Sequence, residues 1–160
     1  MDPVIIVGAG PVGLALALAL ARQEVPSVVL DEGPGKDEQR LARTVVLHED
    51  TAALLERLSG VPLAEAGFRW AGWRSMRRRQ VMRQVRFQEG EETDPQVGAG
   101  GPRDGSEDIV ERTAGLPPLH IPQHVLTTAL RDAIAGERLV KIAVESRVDA
   151  IEQETSGVTA

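Results

Sequence analysis

The first hydrophobic cluster along the chain is Val4-Ile5-Ile6-Val7, a short β-branched run with no polar break. Such a run suits a strand buried on both faces of a parallel sheet. From Leu14 to Ala21 leucine and alanine alternate, which mimics the period of a strand. Both residue types are strong helix formers, however, and no β-branched residue interrupts them, so a helix is expected. Pro11 stands where the first turn of that helix begins, a position that tolerates a missing N–H. After the breaker Pro26, Val28-Val29-Leu30 reads as a second buried strand ending at Asp31-Glu32. Strand, helix and strand in so short a span make a βαβ unit, whose crossover is right-handed almost without exception.

Beyond Asp31 the pattern changes. Gly33 to Arg40 is polar and punctuated by Gly and Pro, which predicts a loop. A helix is expected from about Asp50 to Leu58, with Glu49 and Asp50 at its start, Arg57 in its last turn and Gly60 closing it. Val81, Val85 and Phe87 lie on one side of an alternating pattern, which predicts an antiparallel strand pair within 69–86. Glu89 to Glu111 carries eight acids, one Arg and five Gly, the composition of a mobile surface loop. Val125, Leu126, Ala129, Leu130, Ala133 and Ile134 form one apolar stripe at helical spacing, introduced by Pro122 and ended by Gly136. Val140, Ile142 and Val144 then alternate as a strand, and Val148 to Gln153 predicts another. Glu154 to Gly157 reads as a turn leading into a last strand at Val158 to Ala160, so the chain is expected to end inside a hairpin.

Composition narrows the classes. Apolar residues make up 42% of the 160, enough for one globular core. That core must be aliphatic, because Phe68, Trp70, Trp73 and Phe87 are the only aromatics. There is no Cys, which removes disulfides and thiolate metal sites and is compatible with a cytoplasmic protein. A net charge of −6 argues against a nucleic-acid partner. The apolar run from Val4 to Ala21 raises the question of export or membrane insertion. It lacks the basic start of a signal peptide, and Gly8, Gly10, Pro11 and Gly13 together are out of place in a span, so no membrane partner is expected.

The chemistry lies in Gly8-Ala9-Gly10-Pro11-Val12-Gly13, a G-x-G-x-x-G placed between the first strand and the first helix. In such a fingerprint the first glycine allows a tight turn and the second lets a pyrophosphate approach the backbone. The third lets helix and strand pack closely. The helix N-terminus adds free N–H groups and partial positive charge. Asp31 ends the second strand, where a carboxylate can accept hydrogen bonds from a ribose diol. A glycine motif alone is weak evidence; with strand, helix, strand and acid in order it is strong. The expected fold class is therefore α/β, a Rossmann-like parallel sheet carrying a small antiparallel strand insertion.

Three segments resemble one family, the flavoprotein aromatic hydroxylases that include para-hydroxybenzoate hydroxylase and polyketide-tailoring monooxygenases. They are VIIVGAGPVGLALALALARQEVPSVVLDEGP, ARTVVLHEDTAALLERLSG and LPPLHIPQHVLTTAL. The resemblance implies a glutathione-reductase-like FAD-binding domain at 1–68 and 116–160, with 69–115 holding the first strands of a substrate domain and a mobile loop. It implies that Gly8, Gly10, Val12 and Gly13 meet the FAD pyrophosphate, that Asp31 holds the adenosine ribose, and that Arg43 reaches the pyrophosphate and ribityl region. Gln123 would bond the FAD chain, and Leu41 to Val46 would form a loop along the cofactor. Two positions depart from the pattern: Asp50 stands where many relatives have Arg, and Thr127 where many have Glu, which changes local ion pairing.

By the same resemblance the chain is the N-terminal piece of an FAD-dependent monooxygenase, reduced by NADPH or NADH and acting on a small aromatic or polyketide substrate. It would need the missing C-terminal part of the same protein and be inactive alone. No catalytic residue is assigned. Two alternatives stay open: a non-catalytic dinucleotide-binding module and an NAD-linked dehydrogenase with the same fingerprint. His120 and His124 are four apart, but Pro122 between them breaks a helix that would align them, so no metal site is expected. No serine lies in a G-x-S-x-G setting, which leaves a hydrolase without support.

Overall fold

The computed structural model describes residues 2–35, 43–88, 110–114, 116–155 and 157–160. β1 (Val4–Val7), α1 (Pro11–Arg22) and β2 (Ser27–Leu30) form the expected unit. The two strands run parallel, with Val4 opposite Ser27 and Val7 opposite Leu30. Further along, β3 (Thr44–Leu47) leads into α2 (Glu49–Ser59), a 3₁₀ turn at Leu63–Ala66 and the short β4 (Phe68–Arg69). Next come β5 (Gly72–Arg77), β6 (Gln80–Gln88) and β7 (Val110–Ala114), then β8 (Leu119–Pro122) and α3 (Gln123–Ala135). The chain closes with β9 (Val140–Ala143), β10 (Glu152–Glu154) and β11 (Gly157–Thr159).

The strands fall into four sheets: β1-β2-β9, β3-β8-β4, β5-β6-β7 and the β10-β11 hairpin. The first is wholly parallel, since β9 adds to β2 with Ser27 opposite Val140 and Leu30 opposite Ala143. α1 packs on it and on α3, burying Leu14, Ala17 and Leu18 against Leu126, Leu130 and Ile134. Ala52 and Leu55 of α2 join the same core, as do Leu47, Leu119 and Ile121 from the β3-β8-β4 sheet. The apolar stripe of α3 is the face it buries, as its helical spacing requires. α2 ends where Gly60 takes a left-handed φ of 71° and donates its N–H to the Glu56 carbonyl, the C-terminal close that its glycine predicts.

Several expectations are corrected. Only Ile6 of β1 is buried, while Val4, Ile5 and Val7 are exposed, because β1 lies at the edge of its sheet and helices cover one face only. Thr44 to Val46 do not belong to a loop. They begin β3, which pairs antiparallel with β8, and Leu41 falls outside the described residues. β8 itself escaped the pattern, since it is only four residues long and includes Pro122, a poor strand former. It is held by β3 along its length and by β4 at Leu119 and His120. Val148 to Ile151 form no strand; only Glu152–Glu154 pairs, with β11. The acidic stretch 89–109 falls outside the described residues, but Val110 and Glu111 open β7, which pairs parallel with β6. The expected antiparallel pair is β5 and β6, joined at Arg78 and Arg79, both at positive φ. No helix among the described residues is long and apolar enough to cross a membrane.

Candidate functional site

The glycine turn joins the carboxyl end of β1 to the start of α1, and each glycine there meets a different constraint. Gly8 has φ +100°, a left-handed region that side-chain-bearing residues rarely adopt. Its N–H donates to the Leu30 carbonyl at 2.7 Å, which ties the turn to the end of β2. A β-carbon on Gly13 would overlap the Gly8 carbonyl oxygen and press on Ile6 Cγ2, so only glycine lets α1 come this close to β1. Gly10 is unlike both. Its φ of −77° suits any residue, and, as at Gly8, nothing among the described residues lies within 4 Å of where its β-carbon would stand. The absent side chain therefore leaves space that no described residue fills.

Around that space lie features suited to an anion. The N-terminus of α1 has no side-chain cap and no acid in its first turn, so its first N–H groups and the positive end of its dipole stay available. Val12 in that turn is 83% exposed, an unusual state for an apolar residue beside a core helix. These residues fit a dinucleotide pyrophosphate, which needs close backbone approach and N–H donors at a helix start free of acids of its own.

Asp31 lies at the carboxyl end of β2, beside the turn. Its Oδ2 accepts the Ala9 N–H at 2.7 Å and its Oδ1 accepts the Gly33 N–H at 3.0 Å. Two of about four acceptor positions on the carboxylate are thus engaged, and the rest can still meet a hydroxyl pair. Sequence reasoning missed Ala9 and Gly33 as its partners. No side-chain signal exists for a backbone donor.

Arg43 and Gln123 are far apart in sequence and adjacent in space. The Gln123 N–H donates to the Arg43 carbonyl at 2.7 Å, extending the β3-β8 register in which Thr44 faces Pro122. Arg43 is exposed, and Gln123, first residue of α3, is half-buried. The Gln123 carbonyl accepts the Thr127 hydroxyl at 2.8 Å, so the buried Thr127 is satisfied within its own helix. Asp50 is exposed in the first turn of α2, where a negative charge suits the helix dipole. The expected site residues thus form two groups, Gly8 to Gly13 with Asp31, and Arg43 with Gln123. No hydrogen bond joins the groups among the described residues. On the outer face of the β3-β8-β4 sheet, Val46, Phe68, Trp70 and His120 line an open cavity of about 540 Å³, and the Trp70 and His120 rings stack at 3.5 Å.

The sequence matches a family model described as FAD binding domain over residues 1–160. The chain belongs to the FAD binding domain family. No curated protein matches the chain. Among solved structures, p-nitrophenol 4-monooxygenase PnpA from Pseudomonas putida DLL-E4 superposes with a TM-score of 0.65 at 18% identity, over 99% of this chain and 38% of that one. PqsL, a probable FAD-dependent monooxygenase from Pseudomonas aeruginosa, gives 0.62 at 19% identity, over 97% of this chain and 36% of that one. The flavin-dependent monooxygenase PieE, solved in complex with FAD and substrate, gives 0.67 at 22% identity, over 98% and 26%. At these identities the likeness is one of fold. The FAD binding domain described here spans well under half the length of each of these chains.

Proposed function

We propose that these residues hold the dinucleotide part of FAD in an FAD-dependent monooxygenase acting on a small aromatic or polyketide substrate, with NADPH or NADH as reductant. The carrying observation is the open space at Gly10 beside an uncapped helix N-terminus. In this reading the N–H groups at the start of α1 bind the pyrophosphate, with Gly8, Gly10, Val12 and Gly13 as its cradle. Asp31 accepts from the adenosine ribose, and Arg43 and Gln123 bond the chain toward the flavin. Residues 1–68 and 116–160 form the FAD-holding unit, and 69–115 begin the surface that meets substrate. When bound, the flavin would supply hydride acceptance and oxygen activation; the protein's part is to bind, orient and exclude water.

Fold neighbours support the reading. Besides the three monooxygenases above, a further PqsL structure holds 2-aminobenzoylacetate, an aromatic ligand, at a TM-score of 0.64. The test is a flavin titration followed by NADPH and NADH oxidation under ¹⁸O₂ with candidate aromatic substrates, on the full-length gene product. Bound flavin and one labelled oxygen in product support the proposal. Flavin binding without oxygen transfer to any aromatic would leave a dinucleotide-binding module, and NAD retained in place of FAD would favour a dehydrogenase.

A further inference from the structure

We infer that Asp31 is a positioning residue for the glycine turn, acting on cofactor binding through the Ala9 N–H as well as through any hydroxyl it meets. This rests on the reading of the turn as the dinucleotide site, but the hydrogen bonds that carry it belong to the protein alone. Asp31 is a junction of three strand ends. Its backbone N–H donates to the carbonyl of Ala143, the last residue of β9, at 2.9 Å, and its own carbonyl accepts the Ser146 N–H at 2.8 Å. Its carboxylate reaches across to Ala9 at 2.7 Å and grips Gly33 on its own strand's exit at 3.0 Å. The Gly33 carbonyl in turn accepts the Glu145 N–H at 3.0 Å. The carboxylate is thus the side-chain link between the turn after β1 and a backbone network that already fixes the ends of β2 and β9.

The turn needs such a link. Gly8 and Gly10 have no side chains to pack, so in this stretch only the buried Ala9 is held by its side chain, and the direction of the backbone N–H groups depends on hydrogen bonds. The Gly8 N–H is anchored to Leu30, and Leu14 donates to the Gly10 carbonyl at 3.0 Å. Between these anchors Asp31 supplies the one side-chain hydrogen bond to the turn among the described residues. A charge-assisted bond of this length is strong enough to set the direction of the neighbouring N–H groups that would face a pyrophosphate.

A role confined to the ribose and a role through the turn make different predictions. Removing a carboxylate next to an anion site should by itself favour the anion, since like charges repel. A loss of affinity that does not depend on the ribose hydroxyls therefore reports the turn. The experiment titrates ADP and 2′,3′-dideoxy-ADP calorimetrically into the full-length gene product and its Asp31→Asn variant. The expected result is a loss of about tenfold or more for both nucleotides, by similar factors. A loss confined to ADP would overturn the inference and leave Asp31 as a ribose ligand alone.

Amide exchange on the ligand-free proteins separates positioning from general stability. Ala9 and Gly33 should exchange faster in Asp31→Asn while amides of α3 keep the parent rate; uniform acceleration would mean a merely structural role and overturn the inference. If the variant does not fold, the parent chain decides. A through-hydrogen-bond coupling between Ala9 nitrogen and the Asp31 carboxyl carbon should persist when ADP binds, and its disappearance would overturn the inference. Should the parent bind neither ADP nor FAD, the cofactor reading fails, while the ligand-free exchange result still decides the part played by Asp31.

Discussion

A β-carbon on Gly13 would overlap the Gly8 carbonyl oxygen, whereas one on Gly10 would meet no atom of the described residues within 4 Å. Substitution at the two should therefore fail for opposite reasons. Gly13→Ala forces α1 away from β1 and is expected to lower unfolding free energy by about 3 kcal/mol or more, read by denaturant titration. Gly10→Val should leave that free energy within about 1 kcal/mol of the parent, because its extended backbone accepts any residue and the cost is that of a poorer helix cap. The same change should abolish flavin retention, measured by absorbance of the purified full-length protein. Flavin content equal to the parent's would show that the open space is not where the pyrophosphate lies. Ser27 offers a third residue-scale test: its side-chain oxygen is buried with no hydrogen-bond partner among the described residues. Ser27→Ala removes an unsatisfied hydroxyl and should raise stability by about 1 kcal/mol, visible as a shifted urea midpoint.

At the scale of elements, α3 does two jobs. Its buried side packs Leu126, Leu130 and Ile134 against α1 and α2, while its first residue, Gln123, sits against Arg43 just before β3. Leu130→Ala should cost about 2–5 kcal/mol, since the leucine is fully buried and its neighbours come from several elements. Gln123→Ala should leave the unfolding transition near the parent's and weaken flavin affinity. A large stability loss with unchanged flavin affinity would contradict the proposed role. The helices and the parallel strands were legible in sequence because each carries its own periodicity and its own stop signals. β3, β4 and β8 were not. Their residues alternate over four positions or fewer, and β8 contains a histidine and a proline, so their strand character comes from partners rather than from the segment.

At the scale of the whole molecule, the parallel sheet presents an apolar edge. β1 is the outer strand of β1-β2-β9, with Val4 39%, Ile5 38% and Val7 59% exposed. An exposed edge of this kind recruits other strands. The 160-residue chain on its own should associate with rising concentration in sedimentation velocity, and Val7→Lys should suppress that association without unfolding the chain. A parent that stays monomeric at high concentration would refute this.

The sequence by itself determined the βαβ unit, the place of the glycine turn and the stripe by which α3 packs. These depend on local propensity and on periodicity, which short windows of residues carry whole. It also singled out Gly8, Gly10, Gly13 and Asp31, because their order along the chain is the order of turn, helix and strand. Only the tertiary structure decided which glycine is required for packing and which leaves room for a ligand. That difference depends on atoms brought near from elsewhere in the chain. The pairing of Arg43 with Gln123, the hold of Asp31 on the Ala9 N–H and the exposure of β1 were settled there too. Each joins backbone groups or surfaces from separate segments, and no side-chain pattern records where a distant N–H will point.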